Sequence, residues 1–116
     1  MSLAIKRVYE PVSPKDGVRI LVDRLWPRGL SKERAAVDLW LKAIAPSTGL
    51  RQWFGHESAR WAEFRRKYFA ELASHPDEVD QIRTLAKRRR VTLVYGARDT
   101  ERNDAVALLD YLESQP

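Results

Sequence analysis

The chain has 116 residues, no cysteine, and a net charge of +5 from 21 Lys and Arg against 16 Asp and Glu. That length fits one compact domain with its own core, and the missing cysteine excludes disulfides, thiolate metal sites and a cysteine nucleophile. The composition, 44% hydrophobic and 32% charged, is that of a globular protein; no run approaches the roughly 18 apolar residues of a membrane span, and the first residues lack a signal-peptide core, so a cytoplasmic location with no membrane partner is expected.

Leu3 to Tyr9 reads as a first strand, and Pro11-Val12-Ser13-Pro14-Lys15-Asp16-Gly17 carries the residues of a turn-rich loop. Val18 to Leu25 reads as a second strand whose near-continuous Val, Ile and Leu content predicts burial on both faces. The loop between them is too short for a helical crossover, so a direct pair would be antiparallel. Ser31 can cap a short turn through Ala35 and Ala36. From Val37 to Ala43 apolar and polar residues alternate, which favours a strand over a helix. Pro46-Ser47-Thr48 starts a short helix that Gly55 ends.

Glu57 to Leu72 is the clearest helix: Trp61, Phe64, Tyr68 and Leu72 share one face, and Glu63 stands before Lys67 in the favourable i,i+4 order. A second helix begins at Pro76 with Asp77, Glu78 and Asp80 near its positive end, and closes on Arg88-Arg89-Arg90. Val91 to Tyr95 is a buried-type strand, Gly96-Ala97-Arg98-Asp99 turns the chain, and Thr100 can cap a last helix with a core face of Ala105, Leu108, Leu109 and Leu112. Helices between buried strands predict an α/β fold: a single small domain with a mainly parallel, three- to four-stranded sheet flanked by helices.

Ligands of such sheets sit beyond the carboxyl ends of the strands, and two ends carry unusual residues. One is Asp23-Arg24-Leu25-Trp26-Pro27-Arg28-Gly29; the other is Tyr95-Gly96-Ala97-Arg98-Asp99, followed by a helix start with Asn103 in its first turn. Free N–H groups at a helix N-terminus favour an anion. If the strands are neighbours, Arg24, Arg28 and Arg98 converge on one negative group, with bidentate, charge-assisted bonds. Trp26 would wall the pocket, Tyr95 and Asn103 would contact the ligand, and Asp23 would orient an arginine or act as a base. His56, with an ordinary pKa near 6.5, is the best titrating candidate for acid–base work, and a capping or packing role is its alternative. Trp40, Trp53 and Trp61 read as core. With two histidines, no Walker loop and no GxGxxG, neither a metal nor a cofactor is expected.

The segments Leu21-Val22-Asp23-Arg24-Leu25-Trp26-Pro27-Arg28-Gly29, Asp38-Leu39-Trp40-Leu41-Lys42, Ala45-Pro46-Ser47, Trp53-Phe54-Gly55-His56, Trp61 with Phe64 and Tyr68, and Val94-Tyr95 to Asn103-Asp104-Ala105 closely resemble the YeaO-like proteins, a bacterial domain-of-unknown-function family. The resemblance covers nearly the whole chain and implies a small cytoplasmic α/β protein, without implying an activity. More distant members of the wider group carry cysteine chemistry after the last strand, which cannot carry over here. The leading reading is therefore a ligand-binding or enzymatic domain for a small anion, a nucleotide among the options. A nucleic-acid-binding accessory protein is the alternative, motivated by the net charge and the basic, aromatic stretch from Arg51 to Lys67; a protein-interaction module is a third.

Overall fold

A computed structural model describes residues 1–114. Four strands, β1 (Leu3–Arg7), β2 (Val18–Leu21), β3 (Leu39–Trp40) and β4 (Val91–Tyr95), form one sheet in the order β1-β4-β2-β3, and every pair is parallel. Five helices accompany them: α1 (Lys32–Ala35), α2 (Thr48–Phe54), α3 (Trp61–Leu72), α4 (Pro76–Arg88) and α5 (Asp104–Ser114). No helix among the described residues is long and apolar enough to cross a membrane.

Alternation along the strands divides the core between the two faces of the sheet. Ile20, Val22, Val91, Leu93 and Tyr95 meet buried residues of α2 to α5, among them Phe54, Phe64, Tyr68, Ile82 and Leu108. Leu21 and Val94 meet a thinner cover of Val8, Ala35, Trp26 and Trp40. Burial on both faces is why β4 is apolar almost without interruption.

β1 and β2 do not pair directly, so the antiparallel option does not arise: β4 inserts between them, and residues 8–17 bring the chain back through a tight turn, Pro14–Asp16, capped by Ser13. The alternating segment from Val37 yields only the two-residue β3, because the Asp38 carboxylate accepts the Arg19 N–H at 2.8 Å and β2 offers β3 just Ile20 and Leu21 as partners. A helical turn, Lys42–Ile44, follows in place of further strand.

Caps follow the sequence closely elsewhere. Ser31 and Ser47 accept the N–H groups of Arg34 and Leu50, and Gly55 ends α2 in the left-handed region. The Glu71 carboxylate receives both the Ser47 N–H (2.8 Å) and its hydroxyl (2.6 Å), which fastens the start of α2 to α3. The last helix departs from expectation. Its cap is Asn103, whose Oδ1 accepts the Val106 N–H at 2.9 Å, and not Thr100.

Candidate functional site

A cleft of about 470 Å³ opens where the neighbouring strands β2 and β4 reach their carboxyl ends. The chain after β2 supplies Asp23 to Arg28, and the chain after β4 supplies Gly96 and Ala97. Pro46, Arg51, Phe54 and His56 enter from α2 and its flanks, with Tyr9, Phe64, Asn103 and Asp104 completing the lining.

Hydrogen bonds join the two strand ends. The Gly96 N–H donates to Asp23 Oδ2 at 2.8 Å, and Trp40 Nε1 donates to the Asp23 carbonyl at 2.8 Å. Trp26 donates to the Leu30 carbonyl and meets Trp40 edge to face, so it is at once a cleft wall and part of the core. The Tyr9 hydroxyl donates to the Arg28 carbonyl at 2.7 Å, which ties the end of β1 to the same loop.

Arg24 reaches the carbonyls of Pro46 and Ala45 through Nε and Nη2, an anchoring that fixes its plane. Arg28 and Arg51 are exposed. None of these three guanidiniums forms an ion pair among the described residues. Other arginines are committed to structure: Arg7 bonds the Ala97 carbonyl at 2.8 Å and stacks on Tyr9, and Arg65 pairs with Asp110.

Of the residues singled out in the sequence, Asp23, Arg24, Trp26, Arg28, His56 and Asn103 line the cleft, whereas Tyr95 and Arg98 do not. Tyr95 is buried in the core beneath the strand end. Arg98 is exposed, since the turn carries it outward. Asn103 is occupied as a cap, its Nδ2 donating to the Asp99 carbonyl. Nor is the N-terminus of α5 open to an anion, because the Asp104 carboxylate accepts the Ala105 N–H at 3.0 Å. His56 holds φ of +59°, directly after Gly55 at +51°, an uncommon backbone state for a residue with a side chain.

Arg51 and Asp104 are cleft residues that sequence reasoning missed. Asp104 is the more consequential. Burial first, and then the adjacent Asp23 carboxylate with which it shares a hydrogen bond, push its carboxyl well above the usual range near 3.8. The folded state therefore keeps a proton that the unfolded chain releases. Stability from this group is full below pH 3.8 and declines as pH rises toward the folded value. Asp104→Asn should be at least as stable as the parent at pH 7, with a Tm that varies less with pH above 4, as thermal melts across pH will read; a Tm indifferent to the substitution at every pH contradicts the raised carboxyl.

Two cations of the basic, aromatic stretch lie over one of its own rings. Lys67 Nζ lies 4.1 Å and the Arg60 guanidinium 5.4 Å from the Trp53 ring centre. Trp53 is thus covered where a stacking base would need it. No group of three or more His, Cys, Asp or Glu is arranged to hold a metal among the described residues.

A family model described as the inactive DUF488-N3 subclade matches residues 2–116. The chain is 48% identical over 114 residues to the uncharacterized protein YeaO of Escherichia coli K12, covering 98% of this chain and 99% of that protein. It is 39% identical over 111 residues to uncharacterized proteins of Mycobacterium bovis and Mycobacterium tuberculosis, covering 96% of this chain and 93% of theirs. No solved structure matches the chain.

Proposed function

The chain belongs to the inactive DUF488-N3 subclade, a family of YeaO-like bacterial proteins, and on that footing we propose that its strand-end cleft binds a small anion and holds it without turnover. The observation that carries this reading is the set of three cleft guanidiniums, Arg24, Arg28 and Arg51, none of them paired with a carboxylate. An oxyanion supplies the charged acceptor they lack, with bonds roughly twice as strong as neutral ones. Arg24, held flat by two carbonyls, is the preorganised member; the exposed Arg28 and Arg51 close on the ligand from solvent.

The description of the family as inactive agrees with a chain that has no cysteine for the loop after β4. In this reading His56 is a ligand contact and Asp23 a positioning group that holds Gly96, and neither performs acid–base chemistry.

Thermal shift against inorganic phosphate, phosphomonoesters, sulfate and carboxylates tests the proposal. A ligand at 100 times its Kd adds about 2.7 kcal/mol, which raises Tm on the order of 10 °C for a domain of this size. Arg24→Ala should abolish the shift. Arg28→Ala, which removes an exposed side chain with little structural burden, should weaken it by at least tenfold in Kd. A flat response to every oxyanion overturns the reading and returns weight to the nucleic-acid alternative, whose signature is an affinity that falls steeply with salt.

A further inference from the structure

We propose that the anion is a phosphorylated sugar, with its phosphate on Arg24, Arg28 and Arg51 and its hydroxyls on the two cleft carboxyls, Asp23 and Asp104. This inference rests on the anion-binding reading and names the rest of the molecule.

The argument begins with space. A cleft of about 470 Å³ lies within the range of roughly 300–1,000 Å³ typical of sites for whole small molecules, and a lone oxyanion would leave most of it to water. Something larger than the anionic group is accommodated.

The second step is polarity. Asp23 and Asp104 both line the same cleft as the arginines. Their positions are fixed: Asp23 by the Gly96 N–H, Asp104 by the Ala105 N–H, and each by the other. A second anionic group placed here meets like charge. A hydroxyl does not, because it carries no charge and can donate to a carboxyl oxygen. Two fixed carboxyls side by side suit two neighbouring hydroxyls, in the way that an acidic side chain holds a ribose hydroxyl in dinucleotide sites.

The third step is the apolar wall. Trp26 is partly exposed and brings ring surface to the cleft, backed by Phe54 and Phe64, which are buried and stacked at 4.4 Å between centres. The carbon skeleton of a sugar carries C–H groups between its hydroxyls, and ring surface of this kind accepts them. A bare polyphosphate has nothing to place there.

Isothermal titration with four probes decides the matter: inorganic phosphate, ribose 5-phosphate, adenosine 5′-monophosphate and phosphoethanolamine. Ribose 5-phosphate should bind at least tenfold more tightly than inorganic phosphate, the gain of one charge-assisted hydrogen bond at about 1.4 kcal/mol. Asp104→Ala, which removes the carboxyl oxygens, should erase that preference and leave inorganic phosphate bound as tightly or more so; Asp23→Ala should do the same. Tighter binding of the nucleotide than of the sugar phosphate identifies a nucleotide as the source of the phosphorylated sugar, and the reverse identifies a free sugar phosphate. Preference for phosphoethanolamine, or a sugar preference that survives both Ala variants, overturns the assignment of the acid pair while leaving anion binding intact. Failure of all four probes overturns the anion-binding reading itself.

Discussion

Asp16→Ala is expected to destabilise the fold by roughly 3–5 kcal/mol, a fall in Tm on the order of 15 °C or more. Asp16 is 7% exposed and Arg19 2% exposed. The Arg19 Nη1 lies 2.7 Å from Asp16 Oδ2, and its remaining nitrogens donate to the carbonyls of Ala35 and Ala36. Lys6 reaches the same carboxylate at 3.1 Å. Removing the acid strands a buried guanidinium, which is the costly way to break an ion pair. The contrasting control is Asp110→Ala: its pair with Arg65 is at least a third exposed on both sides, so the loss should stay within about 1 kcal/mol. A pH signature accompanies the difference. Burial alone would raise the Asp16 carboxyl, but the Ser13 N–H, Lys6 and Arg19 outweigh it and hold it below 3.8. Its stabilisation is present above pH 3.8 and lost as pH falls through the folded value. The parent should therefore lose stability on acidification that Asp16→Ala has already lost. Urea melts at pH 7 and on acidification check both, and a cost near that of Asp110→Ala at pH 7 would show that Arg19 is satisfied by the carbonyls alone.

The Asp16–Arg19 pair lies at the amino end of β2, while the cleft lies at the carboxyl ends of β2 and β4. The division explains why charge was hard to read from sequence. Arg19 sits inside an apolar strand and Arg24 just past it, yet the first is consumed internally and the second faces a cleft. Nothing in their immediate neighbours distinguishes them, because the acid that takes Arg19 comes from the turn before β2. Periodicity was informative where one face meets one core, so α3, α4 and β4 were legible. Strand order was not, because it depends on β4 inserting between β1 and β2 after most of the chain has passed. The two strand ends were readable as marked, but neither their adjacency nor which arginine follows them inward was: Arg98 leaves with its turn, and Arg51 arrives from α2. Asp104 reads locally as an ordinary first-turn acid. Only the pairing of β2 with β4 places it against Asp23.

Gly17→Ala is expected to cost roughly 2–6 kcal/mol, combining positive-φ strain of 1–3 kcal/mol with overpacking of a similar size. Gly17 has φ of +66°, and a Cβ there would overlap the Arg90 carbonyl oxygen and lie 2.8 Å from its carbonyl carbon. That oxygen is the acceptor of the Val18 N–H at 2.9 Å, the bond that starts the pairing of β2 with β4. The backbone cannot yield there without parting the two strands whose far ends carry Asp23 and Gly96. Two further glycines separate the contributions. Gly29→Ala meets φ of +82° in open space and should cost about 1 kcal/mol. Gly49→Ala, in the first turn of α2 with nothing within 4 Å, should be neutral or stabilising by up to about 1 kcal/mol. Chemical denaturation of the three variants should rank them in that order. The Gly17 variant should also lose phosphate-induced stabilisation out of proportion to its remaining stability, because the strain enters the register that aligns the cleft. A Gly17 variant no less stable than the Gly29 variant would show that the start of β2 can move freely, and the cleft would then have to be positioned by its own loops.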